Sequence, residues 1–138
     1  MKVYNVIMVF SPDGQRLLFC RREKDPFRGQ MNFVGGKVEA GESPLQAAYR
    51  ELREETGVGE DDIRLTYLAT FTYHVDDVEL QWFAGRLLRP VELVEEVNRL
   101  VWLPLTEDFF DTERFAGQGN IGHMVREVLM YHPEIRNS

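Results

Sequence analysis

Cysteine is nearly absent from this sequence, which contains one, Cys20, in 138 residues. A single thiol excludes an internal disulfide framework and cannot build a cysteine-rich zinc site. A reducing, cytoplasmic location is therefore expected. Long apolar runs are absent too, because the opening segment MKVYNVIMVF is too short to span a membrane and no small-residue cleavage signal follows it. We expect no membrane association.

Basic residues are also outnumbered, with 16 Lys and Arg against 23 Asp and Glu, which gives a net charge of −7. A general nucleic-acid binder needs a basic face that displaces counterions from phosphates, and this composition argues against one. If the ligand nevertheless carries phosphates, metal cations must supply the attraction. The length and the 43% hydrophobic content predict one globular domain over residues 1–138.

Apolar runs separated by turn residues predict an α/β fold. Strands and extended segments are expected at 3–10, 16–20, 31–34, 63–73, 78–88 and 100–105. The first two should form a hairpin around Ser11-Pro12-Asp13-Gly14, and Pro26 and Gly29 mark an irregular loop. A charged loop covers 89–99, and a last helix is expected over 120–131. Its apolar stripe comprises Ile121, Met124, Val125, Val128 and Leu129.

Another helix is predicted between Ser43 and Gly57. Ser43 is a favourable N-cap, Pro44 suits the first helical position, and Gln46 stands three residues after the cap. Gly57 suits a left-handed C-cap. At roughly 100° of rotation per residue, one face should pack on the sheet. That face comprises Leu45, Ala48, Tyr49, Leu52 and Thr56.

Three carboxylates share a neighbouring face of this helix, because Glu51, Glu54 and Glu55 stand at i, i+3 and i+4. Like charges at this spacing repel by about 0.2–0.5 kcal/mol per pair, so helix stability alone would not select them. An acidic helix face commonly reflects only solvation. Here, however, Gly35 and Gly36 allow a ligand close to the backbone, and clustered carboxylates are a natural Mg²⁺ site.

Residues 36–58 resemble the Nudix box, G-x5-E-x7-R-E-U-x-E-E-x-G-U, where U is aliphatic. Every fixed position is filled, by Gly36, Glu42, Arg50, Glu51, Leu52, Glu54, Glu55, Gly57 and Val58. The order of the predicted elements also suits the α/β/α sandwich of that family, with a mixed central sheet. The resemblance implies hydrolysis of a nucleoside diphosphate linked to another group, by water attack on phosphorus assisted by Mg²⁺ or Mn²⁺.

The resemblance also implies roles for individual residues. The implied metal ligands are the Gly36 carbonyl and the carboxylates of Glu51, Glu54 and Glu55, and the implied catalytic set is Glu51, Glu54 and Arg50. Arg50 is expected to orient the glutamates, and Glu42 to brace the loop onto the helix. Glu51 is the preferred general base. Some members use a glutamate from a later loop, for which Glu95 and Glu96 are the candidates here, with a solvated charged loop as the alternative.

Substrate recognition must come from outside the box. The segment FRGQMNFVGGKVEAGE resembles Nudix enzymes that remove oxidised purine nucleoside triphosphates such as 8-oxo-dGTP, and this resemblance implies that Asn32 is a base-reading amide. Asn120, in FAGQGNIGHM, stands where other members of the same group place a base-reading asparagine. The alternatives are a local backbone bond for Asn32 and helix capping for Asn120. Candidate stacking rings are Phe27, Tyr73, Trp82, Phe83 and Phe115. Candidate phosphate contacts are Arg21, Arg22, Arg28 and Lys37. His74 and His123 have no metal-site spacing and are interpreted as incidental.

These observations predict a divalent-metal-dependent pyrophosphohydrolase that converts a nucleoside triphosphate to a monophosphate and pyrophosphate. One alternative is a hydrolase of ADP-ribose or of another nucleoside diphosphate derivative. An alternative of another class is a nucleotide-sensing Nudix module without catalysis. The complete glutamate set argues against that module, because a binder has no need of three repelling carboxylates. The expected partner is a small-molecule nucleotide, and a homodimer is a further candidate.

Overall fold

The computed structural model describes residues 1–24 and 28–137. Its strands are β1 (Lys2–Phe10), β2 (Arg16–Arg21), β3 (Met31–Asn32), β4 (Thr66–Tyr73), β5 (Val78–Arg86) and β6 (Arg99–Pro104). Its helices are α1 (Pro44–Thr56), α2 (Asn120–Tyr131) and α3 (Pro133–Asn137). Pro26 and Phe27, both singled out in the sequence, lie outside the described residues. None of the helices in the described part of the chain has the length and apolar character of a transmembrane span.

The strands form one mixed sheet in the order β3-β2-β1-β5-β4, and β6 also pairs with β2. At the centre, β1 runs parallel to β5, with Lys2 opposite Val78 and Phe10 opposite Arg86. The other pairs are antiparallel, including the predicted hairpin of β1 and β2. The mixed central sheet is therefore confirmed.

Helices cover both faces of this sheet because β1 alternates its side chains between two cores. Ile7 and Val9 pack in the cluster that contains Ala48 and Leu52 of α1. Met8 and Phe10 pack in the cluster that contains Ile121, Val125 and Val128 of α2. All four β1 residues are fully buried. The predicted α/β/α layers are confirmed.

Helix α2 has the predicted bounds, and α3 was not predicted. The strand expected at 63–73 begins only at Thr66, and Ile63 instead makes an isolated bridge to Leu87. The backbone at Arg64 lies so close to Gly85 that a Cβ on that glycine would come within 2.6 Å of the Arg64 carbonyl oxygen. The chain therefore crosses the end of β5 closely before it enters the regular ladder.

The packed face of α1 is mostly as predicted, but the assignment of Leu45 to it was wrong. Leu45 is 44% exposed, whereas Ala47 is fully buried. Leu45 lies in the first turn, where it borders a shallow groove with Leu65 and Tyr67 rather than the core. Helical rotation gave the direction of this side chain but not the position of the sheet edge.

Candidate active site

Caps fix both ends of α1 and therefore the direction of its acidic face. The Ser43 hydroxyl accepts the Gln46 N–H at 3.2 Å, and the Gln46 side chain accepts the Ser43 N–H at 3.0 Å. At the other end, Gly57 adopts φ 82° and donates its N–H to the Arg53 carbonyl. The predicted capping box and left-handed C-cap are both confirmed.

Arg50 connects this helix to the loop that precedes it. Its Nε and Nη2 donate to the two oxygens of Glu42 at 2.6 and 2.9 Å, and Nη2 also donates to the Lys37 carbonyl at 3.0 Å. Its Nη1 donates to Glu51 Oε1 at 3.1 Å and to Glu54 Oε2 at 3.0 Å. The hydrogen bonds that Arg50 donates to Glu42 lower the pKa of Glu42, and the same bonds raise the pKa of Arg50. One guanidinium thus holds the loop and two of the three clustered carboxylates.

The two glycines before the helix lie between α1 and β1. Gly35, with φ 144°, donates its N–H to Glu55 Oε2 at 2.8 Å. Gly36 donates its N–H to Asn5 Oδ1 at 2.9 Å, and its carbonyl accepts the Asn5 N–H at 2.8 Å. A Cβ on Gly36 would lie 2.4 Å from the carboxyl carbon of Glu51. Only glycine leaves room for the carboxylate there, so the structure places Glu51 against Gly36 and Glu55 against Gly35.

Burial makes two of these carboxylates, Glu51 and Glu55, costly to ionise. Burial raises the pKa of Glu55 to about 7; its hydrogen bond from Gly35 opposes this effect, and the charges of Glu51 and Glu54 reinforce it. Burial also raises the pKa of Glu51, against the opposing hydrogen bond and charge of Arg50. A cation between the carboxylates would remove this cost, because an opposite charge favours the ionised form.

The donor set suits a hard divalent cation, although the carboxylates do not form a closed cage. Across residues 1–24 and 28–137, no group of three or more His, Cys, Asp or Glu side chains stands ready to hold a metal ion. The reason is visible in the contacts, since Glu51 and Glu54 turn to Arg50 and Glu55 turns to Gly35. Mg²⁺ usually binds one or two carboxylates and completes its shell with water and phosphate oxygens. The carboxylate oxygens of this open cluster are compatible with that mode of Mg²⁺ coordination.

Two cavities open beside the acidic face. The larger, of about 580 Å³, is bordered by β1, β5 and α2 and falls within the usual size of a small-molecule pocket. Its apolar and aromatic wall includes Tyr4, Phe71, Tyr73, Leu80, Ile121 and Met124, and its polar groups include Asn32, Asn120 and His123. The smaller, of about 470 Å³, is lined by residues that include Lys24, Glu55, Glu96 and Asn98. Arg22, Asn32, Phe33 and Gly35 line both cavities, so the pocket and the carboxylates are neighbours.

The two candidate base-reading amides differ in their local bonds. Asn32 lies in β3, where its Oδ1 accepts the N–H of Phe33 at 2.8 Å, so the local bond named as its alternative is present. Asn120 is the first residue of α2, and the N-cap is Gly119 with φ 93°. No side chain caps this end of α2 within the described chain. The capping alternative for Asn120 was therefore wrong, because the left-handed glycine takes the cap position.

Several candidates lie away from the cavities. Trp82, Phe83 and Phe115 are buried in the core, which corrects their assignment as stacking rings, because their strands and loop turn them inward. Lys37 and Glu95 are exposed and, among the described residues, border neither cavity, although the Lys37 carbonyl bonds Arg50. Of the two remaining stacking candidates, Tyr73 lines the larger cavity, and Phe27 lies outside the described residues.

Sequence reasoning missed Asn5, Tyr4, Phe71, Met124 and the position of His123 at the larger cavity. For Asn5 a signal was present, because it is the one polar residue within the run VYNVIMVF of a strand that should be buried. The others carry no such signal, since aromatic and apolar residues in strands and helices usually pack in the core.

A protein-family comparison matches the NUDIX domain over residues 1–121, and the chain therefore belongs to the Nudix family. The resemblance of residues 36–58 is confirmed, and Nudix hydrolases generally use a divalent metal ion. The 8-oxo-dGTP diphosphatase of Haemophilus influenzae is 51% identical over 45 residues, which cover 33% of this chain and 33% of that protein. The RNA pyrophosphohydrolase of Halorhodospira halophila is 44% identical over 59 residues, 43% of this chain and 31% of that protein. The chain thus spans about a third of these curated relatives.

The fold is that of solved MutT structures. A MutT structure from work on Aliivibrio salmonicida and Vibrio cholerae superposes with a TM-score of 0.69 at 23% identity, covering 93% of this chain and 96% of that one. At 23% identity, this similarity establishes the fold alone.

Proposed function

We propose that this chain is a divalent-metal-dependent pyrophosphohydrolase that cleaves a nucleoside triphosphate to a nucleoside monophosphate and pyrophosphate. The observation that carries the proposal is the position of Gly35. This residue lines both cavities and donates its N–H to Glu55 of the acidic face. A nucleotide whose base occupies the larger cavity would have its phosphates beside these carboxylates. The substrate is a free nucleotide bound by a single domain over residues 1–138.

The residues that would hold the metal are Glu51, Glu54 and Glu55, with the Gly36 carbonyl as a further ligand. When bound, such an ion neutralises phosphate charge and lowers the pKa of a coordinated water. Arg50 keeps two of the carboxylates and the glycine loop in position. The Gly36 carbonyl already accepts one hydrogen bond, from Asn5, and its second lone pair is available as a ligand.

Proton transfer from the attacking water requires a general base within hydrogen-bond reach, a role that a carboxylate can fill. Glu51 remains the first candidate, because burial raises its pKa above the usual carboxyl value and its carboxylate lies against Gly36. Glu96 is the second candidate, since it lines the smaller cavity together with Glu55. Glu95 borders neither cavity in the described part of the chain and is the weaker of the two loop candidates.

The substrate we favour is an oxidised purine triphosphate such as 8-oxo-dGTP. Asn32 and Asn120 bring amides to one cavity, and an amide can both donate to and accept from a purine edge. Arg22 lines both cavities, which supports a contact between its side chain and the phosphates. The relative from Haemophilus influenzae, an 8-oxo-dGTP diphosphatase by name, supports this choice. The net charge of −7 argues against RNA as the substrate.

A substrate panel tests the proposal. Pyrophosphate release should be measured from 8-oxo-dGTP, dGTP, dATP and CTP, and AMP release from ADP-ribose, each with Mg²⁺, with Mn²⁺ and with EDTA. We expect metal-dependent pyrophosphate release, fastest with the oxidised purine. Preferential release of AMP from ADP-ribose would replace the triphosphate by a nucleoside diphosphate derivative. No turnover with either metal would favour a nucleotide-sensing module.

A further inference from the structure

Asn5 stands out among the buried polar residues of the described chain, which are Asn5, Ser11 and Thr56. Ser11 and Thr56 bond their own neighbourhoods, through Asp13 and the Leu52 carbonyl respectively. Asn5 is 3% exposed in the middle of β1, and its side chain instead bonds Gly36, 31 residues further along the chain. A buried amide that reaches a distant loop has a role beyond its own strand.

Asn5 holds Gly36 by both of its backbone polar groups. The Gly36 N–H donates to Asn5 Oδ1, and the Gly36 carbonyl accepts the Asn5 N–H. The preceding N–H, that of Gly35, points the other way and donates to Glu55. The two consecutive glycines are thus fixed between β1 and α1, with the Glu51 carboxylate lying directly against Gly36. Any shift of Gly36 would therefore move both its carbonyl and the surface on which Glu51 rests.

The choice of an amide at this position also points to function. Asn5 Nδ2 is buried and has no hydrogen-bond partner among the described residues, which lowers the free energy of unfolding. An aspartate would accept the Gly36 N–H equally well without that unpaired donor. It would, however, add a negative charge next to Glu51 and Glu55. Asparagine supplies the acceptor and keeps the position neutral.

We propose that Asn5 is a positioning residue that fixes Gly36, and through it Glu51, in the geometry that binds the divalent ion. The inference rests on the proposed function. Partners of metal ligands commonly change metal affinity by about 10- to 100-fold when they are replaced. Asn5 should act in the same way although it is not itself a ligand.

The decisive experiment compares Asn5→Leu, which removes the acceptor, with Asn5→Asp, which keeps it. Gln81→Leu is the matched control, because Gln81 lies opposite Asn5 in the β1–β5 register and also has an unpartnered buried amide atom. Its recorded side-chain bond is to Glu79 rather than to Gly36. Mn²⁺ affinity should be measured by electron paramagnetic resonance on nucleotide-free protein, followed by kcat and KM with the best substrate.

We expect Asn5→Leu to weaken Mn²⁺ binding by about tenfold and to lower kcat more than it changes KM. Asn5→Asp should bind Mn²⁺ no more weakly than the wild type, and Gln81→Leu should match the wild type in every measurement. If Asn5→Leu does not fold, Asn5→Ser withdraws the acceptor from Gly36 and carries the same expectation. If Asn5→Leu or Asn5→Ser keeps the wild-type Mn²⁺ affinity and kcat, this inference is overturned and the proposed function is not affected. A wild-type protein that neither binds Mn²⁺ nor hydrolyses a nucleotide would overturn the proposed function, and this inference with it.

Discussion

The acidic face of α1 and the larger cavity meet at Gly35 and Gly36, yet they are built in opposite ways. The acidic face comes from residues 35–58, a continuous segment held by caps and by the five hydrogen bonds that Arg50 donates to Glu42, Lys37, Glu51 and Glu54. The cavity wall comes from residues between 4 and 124 and is largely apolar. The chemistry is thus encoded locally, whereas the shape that selects a substrate depends on the assembled fold.

This contrast predicts separate kinetic consequences. Changes on the acidic face should act mainly on kcat, because they alter groups that would meet charge developing at phosphorus. Changes in the cavity should act mainly on KM and on the preference between bases, except at Asn5, whose side chain bonds Gly36. A variant that crosses this division would show that the two regions are coupled beyond their shared glycines.

The largest expected effect is on the acidic face. Glu55→Gln should lower kcat by about 100-fold or more, because it removes one charge from the candidate metal site. The melting temperature should not fall, since the amide oxygen can still accept the Gly35 N–H and one source of repulsion is lost. Steady-state kinetics at saturating Mg²⁺ and thermal unfolding measure both. Glu127→Gln, an exposed exchange on α2, is the control. Near-normal rates in both Glu54→Gln and Glu55→Gln would refute the metal assignment.

A smaller loss is expected at Arg50. Arg50→Lys retains the charge but loses the two-pronged bond to Glu42, so the glycine loop should loosen and kcat/KM should fall by about tenfold. The free energy of unfolding should fall by about 1 kcal/mol. Arg53→Lys on the exposed side of the same helix controls for the exchange itself. Equal effects of the two variants would show that the network around Arg50 does not organise the site.

In the cavity, Asn120→Ala should raise KM for the preferred nucleotide by about fivefold, because the loss of one hydrogen bond weakens binding by about this factor. The value of kcat should stay within about twofold of the wild type. Stability should change by less than about 0.5 kcal/mol, because Gly119 rather than Asn120 is the N-cap. Asn32→Ala should shift base preference as well and should also lower stability, since it removes the bond to the Phe33 N–H. An unchanged substrate profile in either variant would assign that amide a structural role only.

The smallest effect is expected at Cys20, which lines the smaller cavity between the two regions. Burial raises the pKa of this thiol to about 12, so it stays protonated and uncharged at pH 6–9. Cys20→Ser should therefore leave the pH–rate profile unchanged across that range, with kcat within about twofold. If the wild-type profile has a limb at about pH 8.5 that disappears in Cys20→Ser, the thiol ionises in this range and water reaches it in the smaller cavity.

The same contrast explains what the sequence could predict. Ser43, Gly57 and the glutamates between them act at helical spacing, so the helix and its acidic face follow from local rules. The parallel pairing of β1 with β5 depends on segments about 75 residues apart and leaves no local pattern. From the sequence, Asn5 is only an unusual polar residue in an apolar strand. Its bond to Gly36 becomes visible only in the folded structure.

The most direct measurement is ³¹P NMR of a nucleoside triphosphate incubated with the protein and Mg²⁺. The account predicts that the nucleoside monophosphate and pyrophosphate appear together in equal amounts, that EDTA stops their formation, and that Glu55→Gln slows it by about 100-fold or more. Release of orthophosphate with a nucleoside diphosphate, or no reaction with Mg²⁺ or Mn²⁺ on any nucleotide, would contradict it.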